Sequence, residues 1–215
     1  MLPFDLGLRG GRPHLVALAA HPDDLEIGCG GTLLTLAATV PGLTAEIVVA
    51  TGTPARLDEA RASAALFLPG CTVSVRTGDL PDGRLPAHWN EVKELLEATA
   101  RDGHADLVLA PSTADAHQDH RLVAELVPTV WRDHLVLGYE IPKWDGDLGR
   151  PTLYVPLDDD VMRDKVERLH KAFPSQVGRD WFDDEVFRGL ARLRGMECRA
   201  KYAEAFTTTK ARLTW

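Results

Sequence analysis

Cysteine is scarce in this 215-residue chain. There are three, Cys29, Cys71 and Cys198, far apart and without a CxxC spacing. That excludes a disulfide scaffold and a thiolate metal site, and a reducing cytoplasm is the expected setting. Basic runs are also missing. The chain has 24 Lys and Arg against 32 Asp and Glu, a formal net charge of −8. Nucleic acid is therefore not the expected partner, because phosphate binding needs clustered cations. The arginines between Arg188 and Arg199 alternate with Leu, Ala and Gly and read as a helix surface. No apolar run approaches the roughly 20 residues of a membrane helix, and no basic-then-apolar leader opens the chain. A soluble protein is expected. Internal repeats and low-complexity linkers are absent, as are G-x-S-x-G and G-x-G-x-x-G. Those last two absences argue against a serine hydrolase and a dinucleotide enzyme.

The chain does have enough apolar material for a large core. It is 45% hydrophobic, and its length fits one domain, residues 1–215, better than two. Met1 to Pro13 reads as a Gly- and Pro-rich leader over the surface. Short apolar runs without alternation read as buried parallel strands at His14 to Ala20, Ala45 to Thr51 and Asp106 to Ala110. Further strands are expected at Cys71 to Arg76, His134 to Tyr139 and Leu153 to Leu157. Helical stretches intervene at Gly28 to Thr39, Arg56 to Leu68, Trp89 to Arg101 and His120 to Trp131. Two more are expected at Asp158 to Phe173, with an acidic first turn, and Trp181 to Cys198. Thr77 to Pro86 reads as a loop, and Lys201 to Trp215 is left unassigned. The alternation predicts an α/β fold, a Rossmann-like, mostly parallel sheet with helices on both faces. Strand order 3-2-1-4-5 would open a crevice between the carboxyl ends of strands 1 and 4.

Both of those strands run into polar clusters. The first ends in Ala20-His21-Pro22-Asp23-Asp24-Leu25-Glu26, followed by Gly28-Cys29-Gly30-Gly31. Pro22 lacks the N–H that a sheet interior requires, so the residues after it belong to a loop at the strand's carboxyl end. The fourth ends in a loop with Asp115, then His117-Gln118-Asp119-His120. Alone, either cluster is a polar turn leading into a helix. Together they suit a divalent cation held by two imidazoles and one carboxylate, with one position open for water. Asp23 and Asp24 are adjacent, so one is expected on the metal and the other facing the water as general base. One histidine of the second cluster would ligate. The other would be free to stabilise an oxyanion or protonate a leaving amine, and Asp119 could fix a ring tautomer.

These two motifs resemble those of the LmbE/PIG-L family of zinc-dependent N-deacetylases, and the resemblance runs over nearly the whole chain. Arg56-Leu57-Asp58-Glu59 is similar to the family's R-x-x-E stretch and Leu80-Pro81-Asp82-Gly83 to its D-G loop. Tyr139-Glu140-Ile141-Pro142, Ser175-Gln176 and Ala203-Glu204-Ala205-Phe206 resemble a bacterial subgroup. The resemblance implies zinc on His21, Asp24 and His120, with ferrous iron able to share that ligand set. It implies Asp23 as general base and His117 as the group at the oxyanion, with Asp119 behind it. It implies Arg56 and Asp82 on sugar hydroxyls. The implied substrate is a small amino-sugar conjugate carrying an N-acetyl group, and a homo-oligomer is compatible with it. The sequence departs from the family at Thr51-Gly52-Thr53-Pro54, where many relatives carry an acidic residue after a strand-end Gly. Another amide, such as a thiol conjugate, or an acetyl ester is the alternative substrate. A metal- or sugar-binding module without catalysis is the alternative class.

The remaining polar and aromatic residues have plainer readings. Cys29 is expected as a small buried apolar group, and Asp158-Asp159-Asp160 as a helix start. Trp144 and Trp181 could stack on a sugar, with burial the expected state of Trp181. Glu140, at the carboxyl end of a strand, lies between pocket and surface readings.

Overall fold

A computed structural model describes residues 5–8 and 11–212. Parts of the leader and the last three residues fall outside it. Among the described residues, seven strands form one sheet in the order β3-β2-β1-β4-β5-β7-β6. The first five are parallel: β1 (His14–Ala19), β2 (Thr44–Thr51), β3 (Thr72–Leu80), β4 (Leu107–Pro111) and β5 (Val136–Tyr139). β6 (Leu153–Leu157) and β7 (Tyr202–Thr207) complete the other edge, with β7 antiparallel to both its neighbours.

Helices cover both faces, because the central strands are apolar on both sides. Leu15, Ala17 and Ala19 point into one core, with α1 (Asp24–Thr39), α2 (Pro54–Phe67), α5 (Asp159–Ala172) and α6 (Asp184–Cys198). Val16 and Leu18 point into the other, with α3 (Trp89–Asp102) and α4 (Gln118–Val130). The order reverses at β1 and β4, so the chain's topological switch point lies between their carboxyl ends. Among the described residues, no helix is long and apolar enough to cross a membrane.

Several boundaries differ from expectation for local reasons. β3 continues to Leu80 instead of looping at Thr77. As an edge strand it is half exposed, so its polar residues mimic a loop, and its register on β2 shifts between Val49 and Thr51. α1 begins at Asp24, four residues early, because Asp23 takes a left-handed conformation (φ 96°) that turns the chain straight into the helix. α6 begins at Asp184, where Asp183 caps it by accepting from the Glu185 and Val186 N–H groups. The unassigned tail holds β7. Arg194, expected on a helix surface, is buried: its guanidinium donates to both Glu140 oxygens at 2.9 and 2.6 Å. Glu140 is thereby a buried ion-pair partner and not free surface. Cys29 is fully buried and its thiol donates to the Leu25 carbonyl at 3.2 Å.

Candidate active site

The two polar clusters meet at the switch point. His21 and Asp23 sit on the turn after β1, and Asp24 opens α1. Its carboxylate accepts the His21 backbone N–H at 2.8 Å, which ties the turn to the helix. On the other side His117 caps α4: its Nδ1 accepts the Asp119 N–H at 3.2 Å, and His120 projects from the first turn.

Three atoms form a tight triangle. His21 Nδ1 lies 3.0 Å from His120 Nε2, His120 Nε2 lies 3.2 Å from Asp24 Oδ2, and His21 Nδ1 lies 3.3 Å from Asp24 Oδ2. The far ring nitrogens are spoken for. His120 Nδ1 faces Asp115 Oδ2 at 3.0 Å, and His21 Nε2 faces Asp119 Oδ2 at 3.2 Å and Asp82 Oδ1 at 3.1 Å. With those nitrogens facing carboxylates as donors, a neutral form of each ring turns its lone pair toward the other ring and toward the anionic Asp24. Three lone pairs at such distances repel unless a cation sits among them. A tetrahedral ion with bonds of about 2.0–2.1 Å separates its ligand atoms by about 3.3–3.4 Å, close to the edges found here. The donor set therefore fits a zinc-like ion.

The electrostatics agree. Burial opposes charge on His21 and His120, yet Asp24 and the flanking carboxylates outweigh it and push them up to about 12 and about 9. Asp24, despite burial, is held well below the usual carboxylate range by those two rings. The pocket demands positive charge, and imidazole protons supply it when nothing else does. Beside the triangle, burial pushes Asp23 up to about 7 against the pull of Arg56. His117 moves down, through burial and the nearby His120 and His21. With Nδ1 occupied by a backbone N–H, the neutral His117 ring carries its hydrogen on Nε2.

Two expected residues hold different partners. The Asp119 carboxylate does not brace His117; it accepts the Gly83 and Leu85 N–H groups at 2.7 and 3.1 Å and touches His21. It thus pins the D-G loop against the site. Arg56 donates to the Pro22 carbonyl and, at 2.9 Å, to Asp23 Oδ2, and it also contacts Ser175 and Glu59. Asp82 stands at the mouth with its side chain 76% exposed. Asp115 was given no role in the sequence reading. It is buried, holds His120, accepts Lys143 Nζ at 2.9 Å and the His117 N–H at 2.8 Å. Its position five residues before His120 was the one available signal.

The cleft above the triangle has a volume of about 460 Å³. Its far wall is made by Ile141 to Asp145 and by Gln176, Arg179 and Trp181. Trp144 is 80% exposed there, while Trp181 is half-buried with its ring edge-on to Phe182.

A sequence model of the PIG-L family, described as GlcNAc-PI de-N-acetylase, matches residues 16–131. The chain belongs to the PIG-L family. The match takes in β1 through α4, hence both polar clusters, and stops short of the cleft's far wall. The Escherichia coli K12 protein YaiS, described as an uncharacterized deacetylase, is 32% identical to this PIG-L chain over 142 residues, covering 61% of this chain and 75% of YaiS. Among solved structures, the N,N'-diacetylchitobiose deacetylase of Pyrococcus horikoshii superposes with a TM-score of 0.74 at 22% identity, over 96% of this chain and 87% of that one. The 4-carboxy-2-hydroxymuconate hydratase GalB of Pseudomonas putida KT2440 superposes equally well, at 0.74 and 19% identity over 94% and 98%. At those identities the likeness is one of fold, and a fold that carries a hydratase as well as a deacetylase leaves the reaction to the site.

Proposed function

We propose that this PIG-L chain removes the acetyl group from an N-acetylated amino sugar within a small conjugate. By family it is a deacetylase, a hydrolase of amide bonds. The observation that carries the finer reading is the triangle of His21, Asp24 and His120, with Asp23 and His117 beside it. His117 also lies close enough to His21 and His120 to share an ion with them, and the oxyanion role is the one proposed for it here. His21, Asp24 and His120 would hold the ion. A bound zinc or ferrous ion supplies Lewis acidity at the amide carbonyl and lowers the pKa of a water toward neutrality.

The remaining chemistry falls to side chains. Asp23, oriented by Arg56, takes a proton from the attacking water. The water oxygen bonds to the carbonyl carbon, and negative charge develops on the carbonyl oxygen. His117 donates to that oxygen from Nε2, an interaction strongest where the charge is greatest. The C–N bond then breaks, the proton passes to the departing nitrogen, and acetate and a free amine result. Trp144, with its exposed face, and the Gln176–Trp181 wall would seat the rest of the conjugate.

The test is amine release, followed with fluorescamine, from N-acetyl sugars, their glycosides and other N-acyl conjugates by metal-loaded protein. Turnover of N-acetylglucosamine conjugates is expected, and Trp144→Ala should raise KM for the larger ones while sparing kcat. Release only from non-sugar amides would redirect the substrate assignment. Metal and sugar binding with no amine from any compound would make the protein a binding module.

A further inference from the structure

α1 is broken where it matters. Cys29 leaves helical geometry (φ −144°, ψ 24°), so the turn that carries Asp24 is a five-residue stub separated from the rest of the helix. In an unbroken α-helix the Gly31 N–H donates to the Ile27 carbonyl. Here an ion pair stands between those two groups. Gly31 N–H donates to Glu204 Oε1 at 2.8 Å, Lys165 Nζ donates to the same oxygen at 2.7 Å, and Lys165 Nζ donates to the Ile27 carbonyl at 2.7 Å. The second Glu204 oxygen accepts the Thr32 N–H and hydroxyl, both at 2.6 Å. Lys165 and Glu204 are 3% and 4% exposed. A buried charge pair is weak as a source of stability and well suited to fixing one geometry. Around it the glycines are close-packed: a Cβ on Gly28 would lie 2.4 Å from the Tyr139 ring, and one on Gly30 2.7 Å from Phe67.

Given the ligand role proposed above for Asp24, we propose that Lys165 and Glu204 are positioning residues of the metal site. Inserted into the helix's own hydrogen-bond ladder, they set the angle and depth of the stub that presents Asp23 and Asp24. Neither side chain lines the cleft over the triangle. They act through the Ile27 carbonyl and the Gly31 and Thr32 amides.

The test is the zinc affinity of folded protein, measured by competition with a chromophoric chelator, for wild type, Lys165→Met, Glu204→Gln and the double variant. Affinity should fall about 10- to 100-fold, the scale of residues that orient ligands from behind, and the double variant should lose less than the sum of the singles. Unchanged zinc affinity in variants whose melting temperature alone has dropped would overturn the proposal. Should the variants not fold, hydrogen exchange on wild type decides by reciprocity: zinc should slow the Ile27, Gly31 and Thr32 amides more than the Leu36 to Ala38 amides. Equal slowing would overturn it. Wild type that takes up neither zinc nor ferrous iron would instead remove the ligand reading itself.

Discussion

Asp23 and Asp24 are neighbours in sequence with opposite surroundings. Asp24 faces two imidazoles, and Asp23 faces a guanidinium and the cleft. Asp23→Asn should therefore keep zinc affinity and lower kcat by roughly 10²–10⁴-fold, the usual weight of a general base; metal content and amine release, measured side by side, separate the two effects. Asp115→Asn should do the reverse, weakening zinc about 10- to 100-fold because His120 loses the group that fixes its tautomer, with chelator competition as the readout. The sequence makes the three ligand candidates visible because Pro22 ends one buried strand at His21 and Asp24, and a second buried strand runs into the cluster that holds His120. What surrounds them is less legible. Asp115 reads only as a loop residue, and Asp119 as a support for His117, whereas in the structure Asp119 faces His21 and the backbone at Gly83 and Leu85, since local spacing says nothing about a loop arriving from residue 83. Arg56 reads as a sugar contact; it lines the cleft, and its guanidinium also holds the Pro22 carbonyl and Asp23, a second role that spacing alone does not reveal.

At the scale of elements, the central strands were legible because burial on both faces leaves uninterrupted apolar runs. β3 was legible only as far as Arg76, and β7 was not. One is an edge strand whose outward residues are polar, and the other owes its place to partners distant in sequence. The glycines after the first cluster belong to this scale as well. They are packing devices: helix backbone passes against Tyr139, Phe67 and Leu157 with no room for a methyl group. Gly28→Ala drives a Cβ into the Tyr139 ring and close to the Glu140 carbonyl. It should cost about 1–3 kcal/mol of stability, the range for overpacking, read from the urea midpoint. Zinc affinity should fall with it if the stub is displaced. Arg194→Met leaves Glu140 charged and unpaired inside the protein, and a loss of about 3–5 kcal/mol in the same experiment is expected.

For the molecule as a whole, the crowding of carboxylates at one crevice makes ion occupancy a stability term. Asp23, Asp24, Asp115 and Asp119 are all buried there. Stripping the protein with chelator should lower its melting temperature. Restoring free zinc to about 100 times its Kd should return about 2.7 kcal/mol, roughly 5–10 °C for a chain of this length. Scanning calorimetry before and after reconstitution measures it. A shift that survives the His21→Ala/His120→Ala double substitution would place the responsible ion elsewhere.

The contact between Glu204 and Gly31 spans 173 residues. Nearly the entire polypeptide has to be collapsed before the acidic turn near its beginning can take its working shape. β1, β2 and β4 can pair much earlier, so the slow step of assembly should be the arrival of the final strand, as expected for long-range closure. Metal uptake during refolding should lag behind sheet formation and keep time with the docking of β7.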